Sequence, residues 1–372
     1  MRTKKRRDVE IYEDYCSLTL EYTDFHGQKF LNCLNEVFRD ITYRNYQDIN
    51  EEEYSLLQKK ILKVNPKSAK DGLVSTRKSI NQLVKLGFVN TNLNSYHRLC
   101  EKYLNAPTKK YRNKLFSVIV AEAANFAANV SNHDGRKHVN FITSTLMRIG
   151  TLNKKQIIGL MTVDPLDFEK GFISLDELNA ASDKASNNLF FERKYNQVSY
   201  LCNVLGKLDD LRFHDSKLYF EDDFIEKFQE DIDSRLLDRN SYLDHKSKEL
   251  VEEENLEITG SKRICMVNNI KYPTLISSHI KRSIKCDYNE KYDHKNLILI
   301  SHEFDGPFDK GDISFENNGK ILFANNIEDD LKKKMFEKKL NEKFIDLNRI
   351  KYLEWNRKNW FNANPNRHLK KN

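Results

Sequence analysis

Three segments of the chain share one order of apolar and polar positions. In each, an amphipathic helix that carries a basic residue ends at a tight turn, and an apolar residue that can begin a strand follows. The segments are 81–89, 144–152 and 203–211, and their aligned leucines are Leu83, Leu146 and Leu205. An apolar face at helical spacing that stops at Gly or Asp is typical of a surface helix and its C-terminal turn. The pattern therefore predicts a helix, a turn and the start of a strand in each segment.

The third segment continues into two short alternating runs around Asp215 and Ser216, which predicts a β-hairpin. A helix that passes through a turn into a hairpin is typical of the recognition helix and wing of winged-helix domains. We therefore expect winged-helix-like units here, with chance similarity between amphipathic helices as the alternative. The helix of the first unit is the best candidate to read DNA, because side chains that can reach base edges or phosphates lie near its start. These side chains are Arg77, Lys78, Asn81 and Gln82, and a solvated helix face is the alternative for each.

Other stretches also have helical spacing. Residues 115–130 are the most apolar of them, so we expect a buried core helix there. Between 340 and 353, apolar residues recur at helical intervals and predict one helix with one apolar stripe; the positions are 340, 344, 347, 350 and 353.

The order of these elements predicts an α+β protein with two main parts. Residues 1–245 are predicted to be mainly helical, with the winged-helix-like units described above. Residues 246–262 are acidic and polar and end near Gly-Ser, which indicates a linker or a terminal helix. Residues 263–372 are predicted to form a C-terminal domain with a basic helical extension.

The charge of the chain is concentrated at its ends. The net charge is +7, and residues 1–7 contain five basic side chains and no acidic one. Residues 331–372 contain 13 Lys or Arg against 4 Asp or Glu. Basic segments of this kind suit a polyanionic partner such as DNA, because each neutralised phosphate releases condensed counterions. A solvated helix surface and a frayed terminus are the alternative.

The cysteines and the hydropathy exclude other classes. The six cysteines are widely scattered without a Cys-x-x-Cys pair, so no structural zinc is expected. The chain begins with charged residues and has no apolar run long enough for a membrane span. We therefore expect reduced thiols and a cytoplasmic protein without a membrane partner.

The candidate chemistry lies between residues 272 and 311, which are predicted to form a strand, a loop, a second strand and the start of a helix. His279 can act as a general base, because an imidazole titrates near neutral pH. Asn296 can brace the two strands or the loop between them, and Asp305 is a hard oxygen ligand suited to Mg²⁺. Three basic residues follow the histidine and can contact flanking phosphates: Lys281, Arg282 and Lys285.

These residues resemble the motif of the HNH (ββα-metal) nucleases, in particular the restriction-type subgroup. The resemblance rests on three pieces in order: Ser278-His-Ile-Lys, Asn296-Leu-Ile-Leu-Ile-Ser, and Asp305-Gly-Pro-Phe-Asp-Lys-Gly with the trailing Ile-Ser-Phe and Gly-Lys-Ile. It implies that His279 is the general base, Asn296 the middle asparagine and Asp305 the metal ligand on the helix. His302 and Asp309 are rival candidates for the metal.

The chain departs from the family pattern at several positions. Ser278 stands where many members have an acidic metal ligand, so its part in the metal site is open. Ser301 and Phe304 stand where some members have zinc-binding cysteines, so apolar packing must replace the zinc. Arg282 replaces the usual proline after His-Ile-Lys.

The resemblance implies a type II-like restriction endonuclease that hydrolyses double-stranded DNA at a specific sequence with Mg²⁺ or another divalent cation such as Mn²⁺. It further implies a bacterial cytoplasmic protein, a homodimer at least on DNA, and a cognate DNA methyltransferase in the same system. A homing or mobile-element nuclease is one alternative. A DNA-binding regulator with a degenerate nuclease domain is another, and Ser278 in place of an acid is the feature that favours it.

Overall fold

The computed structural model describes Leu20 and residues 24–66, 72–187, 190–214, 216–221, 241–325 and 327–362. The basic residues at the start of the chain, Asp215 of the predicted hairpin, and the last ten residues of the basic extension lie outside the described residues. The chain divides into two compact units, Met1–Tyr242 and Leu243–Asn372. Each combines helices with small antiparallel sheets, so the predicted α+β class is confirmed.

The first unit is mainly helical. Its described helices are α1 (Gln28–Tyr43), α2 (Glu51–Val64), α3 (Gly72–Lys85), α4 (Cys100–Leu104), α5 (Lys109–Ala123), α6 (His138–Ile149), α7 (Lys154–Leu160), α8 (Leu175–Asn187) and α9 (Phe190–Leu205). Asn50 caps α2 by accepting a hydrogen bond from the Glu53 amide, while the Glu53 carboxylate accepts one from the Asn50 amide. This reciprocal pair satisfies two amides that the first turn of a helix leaves without partners. α1, α2 and α3 pack against one another through buried leucine, isoleucine and phenylalanine side chains.

The predicted core helix of the first unit is confirmed but is shorter than expected. Residues Leu115–Ala121 of α5 are all buried. The helix is therefore covered on all sides, as its mainly apolar composition predicts. α5 ends at Ala123, and Ala124 has an extended conformation with ψ 121°. Residues 125–130 are therefore not helical but form turns. The amides of Asn125 and Val130 donate hydrogen bonds to the Lys85 carbonyl and to the Asn81 side chain in the last turns of α3.

A three-stranded antiparallel sheet joins the second and third of the repeated segments. Its strands are β1 (Thr151–Asn153), β2 (Leu211–His214) and β3 (Lys217–Phe220), in the order β1-β3-β2. The hairpin predicted after the third segment is thereby confirmed. The second segment supplies β1, which pairs with β3, so these two segments belong to one sheet and are not two separate repeats. Leu152 and Leu218 face each other in this register and are both buried, whereas Thr151 and Asn153 are exposed.

The second unit contains four further strands and several helices. They are α10 (Ser241–Thr259), β4 (Ile276–His279), α11 (Tyr288–Lys291), β5 (Leu297–Ile300), α12 (His302–Lys310), β6 (Ile313–Phe315), β7 (Ile321–Phe323), α13 (Asp329–Met335) and α14 (Leu347–Asn356), followed by a π-helical turn (Arg357–Phe361). β4 pairs with β5, and β6 pairs with β7, both antiparallel. The hydrophobic core lies between these hairpins and α10, α12 and α14.

Residues 246–262, which the sequence assigned to a linker or a terminal helix, are helical as far as Thr259. Val251 of α10 lies in the hydrophobic core of the second unit and is 0% exposed. The buried Asn255 side chain donates a hydrogen bond of 2.7 Å to the Ile264 carbonyl. The terminal-helix interpretation is therefore correct and the linker interpretation is wrong, because α10 is packed into the unit.

The single helix predicted for residues 340–353 is wrong in its extent. Leu340 and Phe344 are buried, but the chain is extended at Ile345, and α14 begins only at Leu347. Asp346 caps α14 by accepting hydrogen bonds from the amides of Asn348 and Arg349. This interruption changes the helical phase, so Leu347 is 81% exposed although the stripe predicted it to be buried.

Candidate functional site

Two antiparallel strands and a helix carry the residues that the sequence singled out for chemistry. His279 is the last residue of β4 and lies opposite Leu297, the first residue of β5. All four residues of β5 are buried, as expected of a continuous apolar strand with both faces covered. α12 follows directly, packs against β4, and ends at Gly311, whose φ of 73° is a left-handed conformation that glycine adopts without steric cost. The predicted order of strand, loop, strand and helix is confirmed.

One ring nitrogen of His279 is held by the backbone. Nε2 lies 3.2 Å from the carbonyl oxygen of Lys291, at the end of α11. A carbonyl oxygen can only accept a hydrogen bond, so Nε2 carries the proton of the neutral ring and Nδ1 is its basic nitrogen. His279 is half-buried. This arrangement is the one that a general base requires, because it fixes both the tautomer and the orientation of the ring.

Asn296 braces the loop between β4 and β5 and is 0% exposed. Its Oδ1 accepts a hydrogen bond of 2.7 Å from the Lys281 amide, and its own carbonyl accepts one of 2.8 Å from the Ile280 amide. Its Nδ2 donates to the carbonyls of Lys281 and Glu290, each at 3.1 Å, and to Cys286 Sγ at 3.2 Å. The side chain therefore acts on the loop conformation, and its burial keeps it from contact with a substrate.

Cys286 belongs to the same bracing arrangement. Burial raises the pKa of its thiol to about 11, so the thiol keeps its proton at neutral pH. The Sγ lies 3.3 Å from the Lys281 carbonyl and 3.4 Å from the Arg282 carbonyl, to which it can donate. The sequence alone gave no sign of this role.

The acidic side chains of α12 differ in their partners. Glu303 accepts hydrogen bonds from Asn268 at 2.8 Å and from Tyr272 at 3.2 Å. Asp309 lies 4.0 Å from Arg282. Asp305, in the first turn of α12, is half-buried; its amide donates to the Ser301 carbonyl within the helix, but its carboxylate has no hydrogen bond or ion pair with any residue that the structure describes. Its carboxylate is therefore the one on α12 that can take a cation without first giving up a protein partner.

The two other candidate ligands have less suitable positions. Ser278 is 8% exposed and lies opposite Ile298, and the alternation of side chains along a strand points it away from the face of His279. His302 is the exposed first residue of α12. Of these candidate ligands, the Asp305 carboxylate is thus the one that could hold a hard divalent cation, since carboxylate oxygens are ligands of this type.

The basic residues after His279 are in three different environments. Lys281 forms an ion pair with Glu290, and its ammonium lies 5.3 Å from the ring centroid of Trp355. The Arg282 guanidinium lies 4.0 Å from the ring centroid of Trp360 and remains 37% exposed. Lys285 is exposed. Arg282 and Lys285 are therefore accessible to a phosphate, whereas the charge of Lys281 is already offset.

The two positions at which some HNH nucleases carry zinc-binding cysteines are buried in this chain. Ser301 and Phe304 are 3% and 2% exposed, and Phe304 belongs to the hydrophobic core of the unit. Cys265 is also buried, and its Sγ lies 3.9 Å from the Ser301 hydroxyl. The expected substitution by core packing is consistent with this burial.

A buried ion-pair network behind the site was missed by the sequence reading. Arg349 is 0% exposed and donates to Glu254 at 2.8 Å and to the Leu297 carbonyl at 3.2 Å. Glu254 also pairs with Lys295, the residue before Asn296. Burial alone would raise the pKa of Glu254, but the two cations outweigh it and hold the pKa at about 2. These partners lie too far apart in sequence for any spacing rule to connect them.

The four side chains proposed to read DNA from α3 do not share one surface. Arg77 and Lys78 are exposed, as the DNA-reading interpretation requires. The Oδ1 of Asn81 accepts a hydrogen bond of 3.2 Å from the Val130 amide. Gln82 is 1% exposed, so its assignment as a DNA-binding residue is wrong. The segment 125–130 covers the last turns of α3, where the Lys85 carbonyl also accepts a hydrogen bond from the Asn125 amide.

Comparison with known proteins adds no family. No protein-family model matches the chain, and no curated protein matches it in sequence. Within the described residues, the helices are too short or too polar to cross a membrane.

Proposed function

We propose that this protein is a metal-dependent endonuclease that hydrolyses double-stranded DNA at a specific sequence, in the manner of a type II restriction enzyme. The observation that carries the proposal is the geometry of His279, which ends β4 with Nε2 bound to the Lys291 carbonyl. Beside it, α12 packs against β4 and carries Asp305 in its first turn. A general base and a hard oxygen ligand on one strand–strand–helix scaffold are what phosphodiester hydrolysis requires.

In this proposal, His279 Nδ1 accepts the proton of the attacking water, and the Lys291 carbonyl stabilises the imidazolium that forms. Asp305 would hold Mg²⁺ or Mn²⁺, since its carboxylate is half-buried and lacks a partner among the described residues. A bound divalent cation would offset charge on the scissile phosphate and the leaving oxygen. Ser278 is left out of the proposed ligand set because it is buried and alternates away from His279.

Substrate binding is assigned to cations in both units. We assign phosphate contacts near the general base to Arg282 and Lys285 because both are accessible, whereas Lys281 is assigned to the loop through its ion pair with Glu290. In the first unit, the order of helices around a β1-β3-β2 sheet supports a winged-helix domain, and the exposed Arg77 and Lys78 on α3 support a second DNA contact. Asn81 is retained only as a residue that positions the 125–130 segment.

The restriction-type proposal includes partners. One active site per chain must act twice to cut both strands, so we propose a homodimer at least on DNA, which suits a palindromic site. A cognate DNA methyltransferase would protect the host sequence.

Digestion of long DNA tests the proposal. Purified protein is incubated with phage-sized DNA and Mg²⁺, with EDTA and with the His279→Ala variant as controls. A sequence-specific nuclease gives discrete bands that both controls lose. A smear would mean a nonspecific nuclease, and DNA left intact over a range of divalent cations would favour a DNA-binding regulator. Very rare cutting at a long site would indicate a mobile-element nuclease.

A further inference from the structure

Ile284 projects into solvent from the loop that follows the proposed general base, His279. It is the middle residue of a short 3-10 turn, Ser283–Lys285, five residues after His279, and it is 83% exposed. Single apolar residues on a protein surface are common, and exposure alone implies no function. Ile284 differs from an ordinary exposed apolar residue in the conformation and the charges of the segment around it.

The segment that presents Ile284, residues 281–286 (the Ile284 loop), is held at both ends. Lys281 is bonded to Asn296 through both its amide and its carbonyl, at 2.7 and 3.1 Å. Cys286 at the other end lies within hydrogen-bond reach of Asn296 Nδ2 at 3.2 Å. Within the loop, the Lys285 amide donates to the Arg282 carbonyl at 2.8 Å. Ile284 therefore cannot turn inward unless several of these bonds break, so the loop keeps an apolar side chain in water.

The charges beside Ile284 indicate which partner would cover it. Arg282 precedes it by two residues with its guanidinium stacked on Trp360, and the exposed Lys285 follows it directly. Three acids lie nearby: Glu290 pairs with Lys281, Asp309 lies 4.0 Å from Arg282, and Asp287 accepts a hydrogen bond from the Glu290 amide as the cap of α11. Two accessible cations around one apolar side chain complement a surface that is anionic outside and apolar within. The stacked base pairs of a DNA duplex, with phosphates on either side, have this character.

We propose that Ile284 inserts as an apolar wedge between adjacent base pairs of the duplex, while Arg282 and Lys285 contact the phosphates beside it. This inference rests on the proposed nuclease function. Insertion of an apolar side chain costs the unstacking of one step and kinks the DNA, and the added protein contacts offset that cost. Isoleucine suits the task because its β-branched side chain is stiff at χ1. The wedge would open the duplex beside the phosphate that His279 acts on.

Fluorescence of 2-aminopurine tests the wedge directly. The base is placed at successive steps around the cleavage site, and each duplex is bound to the full-length His279→Ala protein, which does not cut. A rise in fluorescence is expected at one step and should be lost when Ile284→Ser is added. Leu347→Ser is the matched control, because Leu347 is 81% exposed in the same unit and has no role in the proposed function. That control should keep the rise.

A cleavage assay separates insertion from a general loss of activity. With His279 intact, Ile284→Ser should lower kcat/KM on the normal duplex about tenfold, whereas Ile284→Leu should retain most of it. A mismatch at the opened step should restore cleavage by Ile284→Ser, since a step that is already unstacked needs no wedge. The wedge proposal would be overturned, and the proposed function left intact, by a fluorescence rise that survives Ile284→Ser. The same holds if Ile284→Ser changes the oligomeric state of the protein and leaves the fluorescence rise unchanged. Failure of the unmodified protein to bind or cut DNA would overturn the proposed function as well.

Discussion

The β4–β5 loop and helix α3 differ in how well the position of polar residues in the sequence predicts their surroundings in the fold. In the loop, polar residues that lie up to 15 positions apart are brought into direct contact, as with Lys281 and Asn296. On α3, polar residues within six positions of sequence are separated into different environments. Arg77 and Lys78 are exposed, whereas Gln82 is buried although it lies one helical turn after Lys78.

The difference has a structural cause. Antiparallel pairing fixes the register of β4 against β5, so the residues that leave the strands are placed by the ladder itself. The face of a helix is instead decided by whatever packs against it. The segment 125–130 crosses the last turns of α3 and covers a face that the helical period alone would leave exposed. Sequence spacing in a paired hairpin therefore predicts which polar residues meet better than spacing along a helix predicts which ones are exposed.

The largest effect is expected at the base of the loop site. His279→Ala should lower the cleavage rate by about 10²–10⁴-fold, because it removes the group that accepts the proton of water. DNA affinity in a gel-shift assay should be almost unchanged. His302→Ala is the matched control, since His302 is the exposed first residue of α12. Equal losses in the two variants would mean that His279 is not the base.

The buried network behind the loop should have a large effect on stability. Arg349→Leu leaves Glu254 buried without its main partner and should lower the free energy of unfolding by about 3–5 kcal/mol, measured by denaturant titration. Lys351→Leu, an exposed lysine on the same helix, is the control and should change little.

The same network gives a pH dependence with a definite sign. The folded pKa of Glu254, about 2, lies below its ordinary value, so folding favours the ionised carboxylate. Its contribution to stability is present above about pH 4.5, its ordinary pKa, and is lost as pH falls from there through about 2. Denaturant titrations between neutral and acidic pH should show this loss, and Glu254→Gln should make the acid limb shallower. An unchanged acid limb in that variant would contradict the assignment.

Two buried amides test the comparison most directly. Asn296→Ala should lower the free energy of unfolding by about 1–3 kcal/mol, because it leaves buried partners unsatisfied, and should also reduce cleavage. Gln82→Ala should affect stability alone, with DNA affinity and cleavage per folded molecule unchanged, since Gln82 is 1% exposed. A loss of DNA affinity in Gln82→Ala would restore the view of α3 as a helix that reads DNA with all four residues.

The smallest effect is expected on the exposed face of α3. Arg77→Ala should reduce the slope of log affinity against log salt by about one, as expected for one lost phosphate contact. Glu51→Ala, on the exposed start of α2, is the control and should leave the slope unchanged. An unchanged slope in Arg77→Ala would remove α3 from the proposed DNA interface.

The sequence was sufficient where local rules decide the structure. The apolar run 297–300, together with the strand pattern that ends at His279, predicted the β4–β5 hairpin. The residues that follow the run predicted α12 at its observed place. The alternating runs around Asp215 and Ser216 predicted the β2–β3 hairpin, and the apolar stretch from Leu115 predicted α5. In each, the pattern of side chains and the backbone period are set by neighbours in sequence.

Only the tertiary structure decided which polar groups face water and which face each other. Leu347 was predicted to be buried and is exposed, because the Asp346 cap starts a new helix with a different phase. Gln82 was predicted to reach DNA and is 1% exposed, although Lys78, one turn earlier on the same helix, is exposed. Arg349 and Glu254 meet across 95 positions of sequence, and the bonds of Asn296 hold a loop that its own residue type does not specify. Burial and hydrogen-bond partners depend on contacts between distant segments, and no local period encodes them.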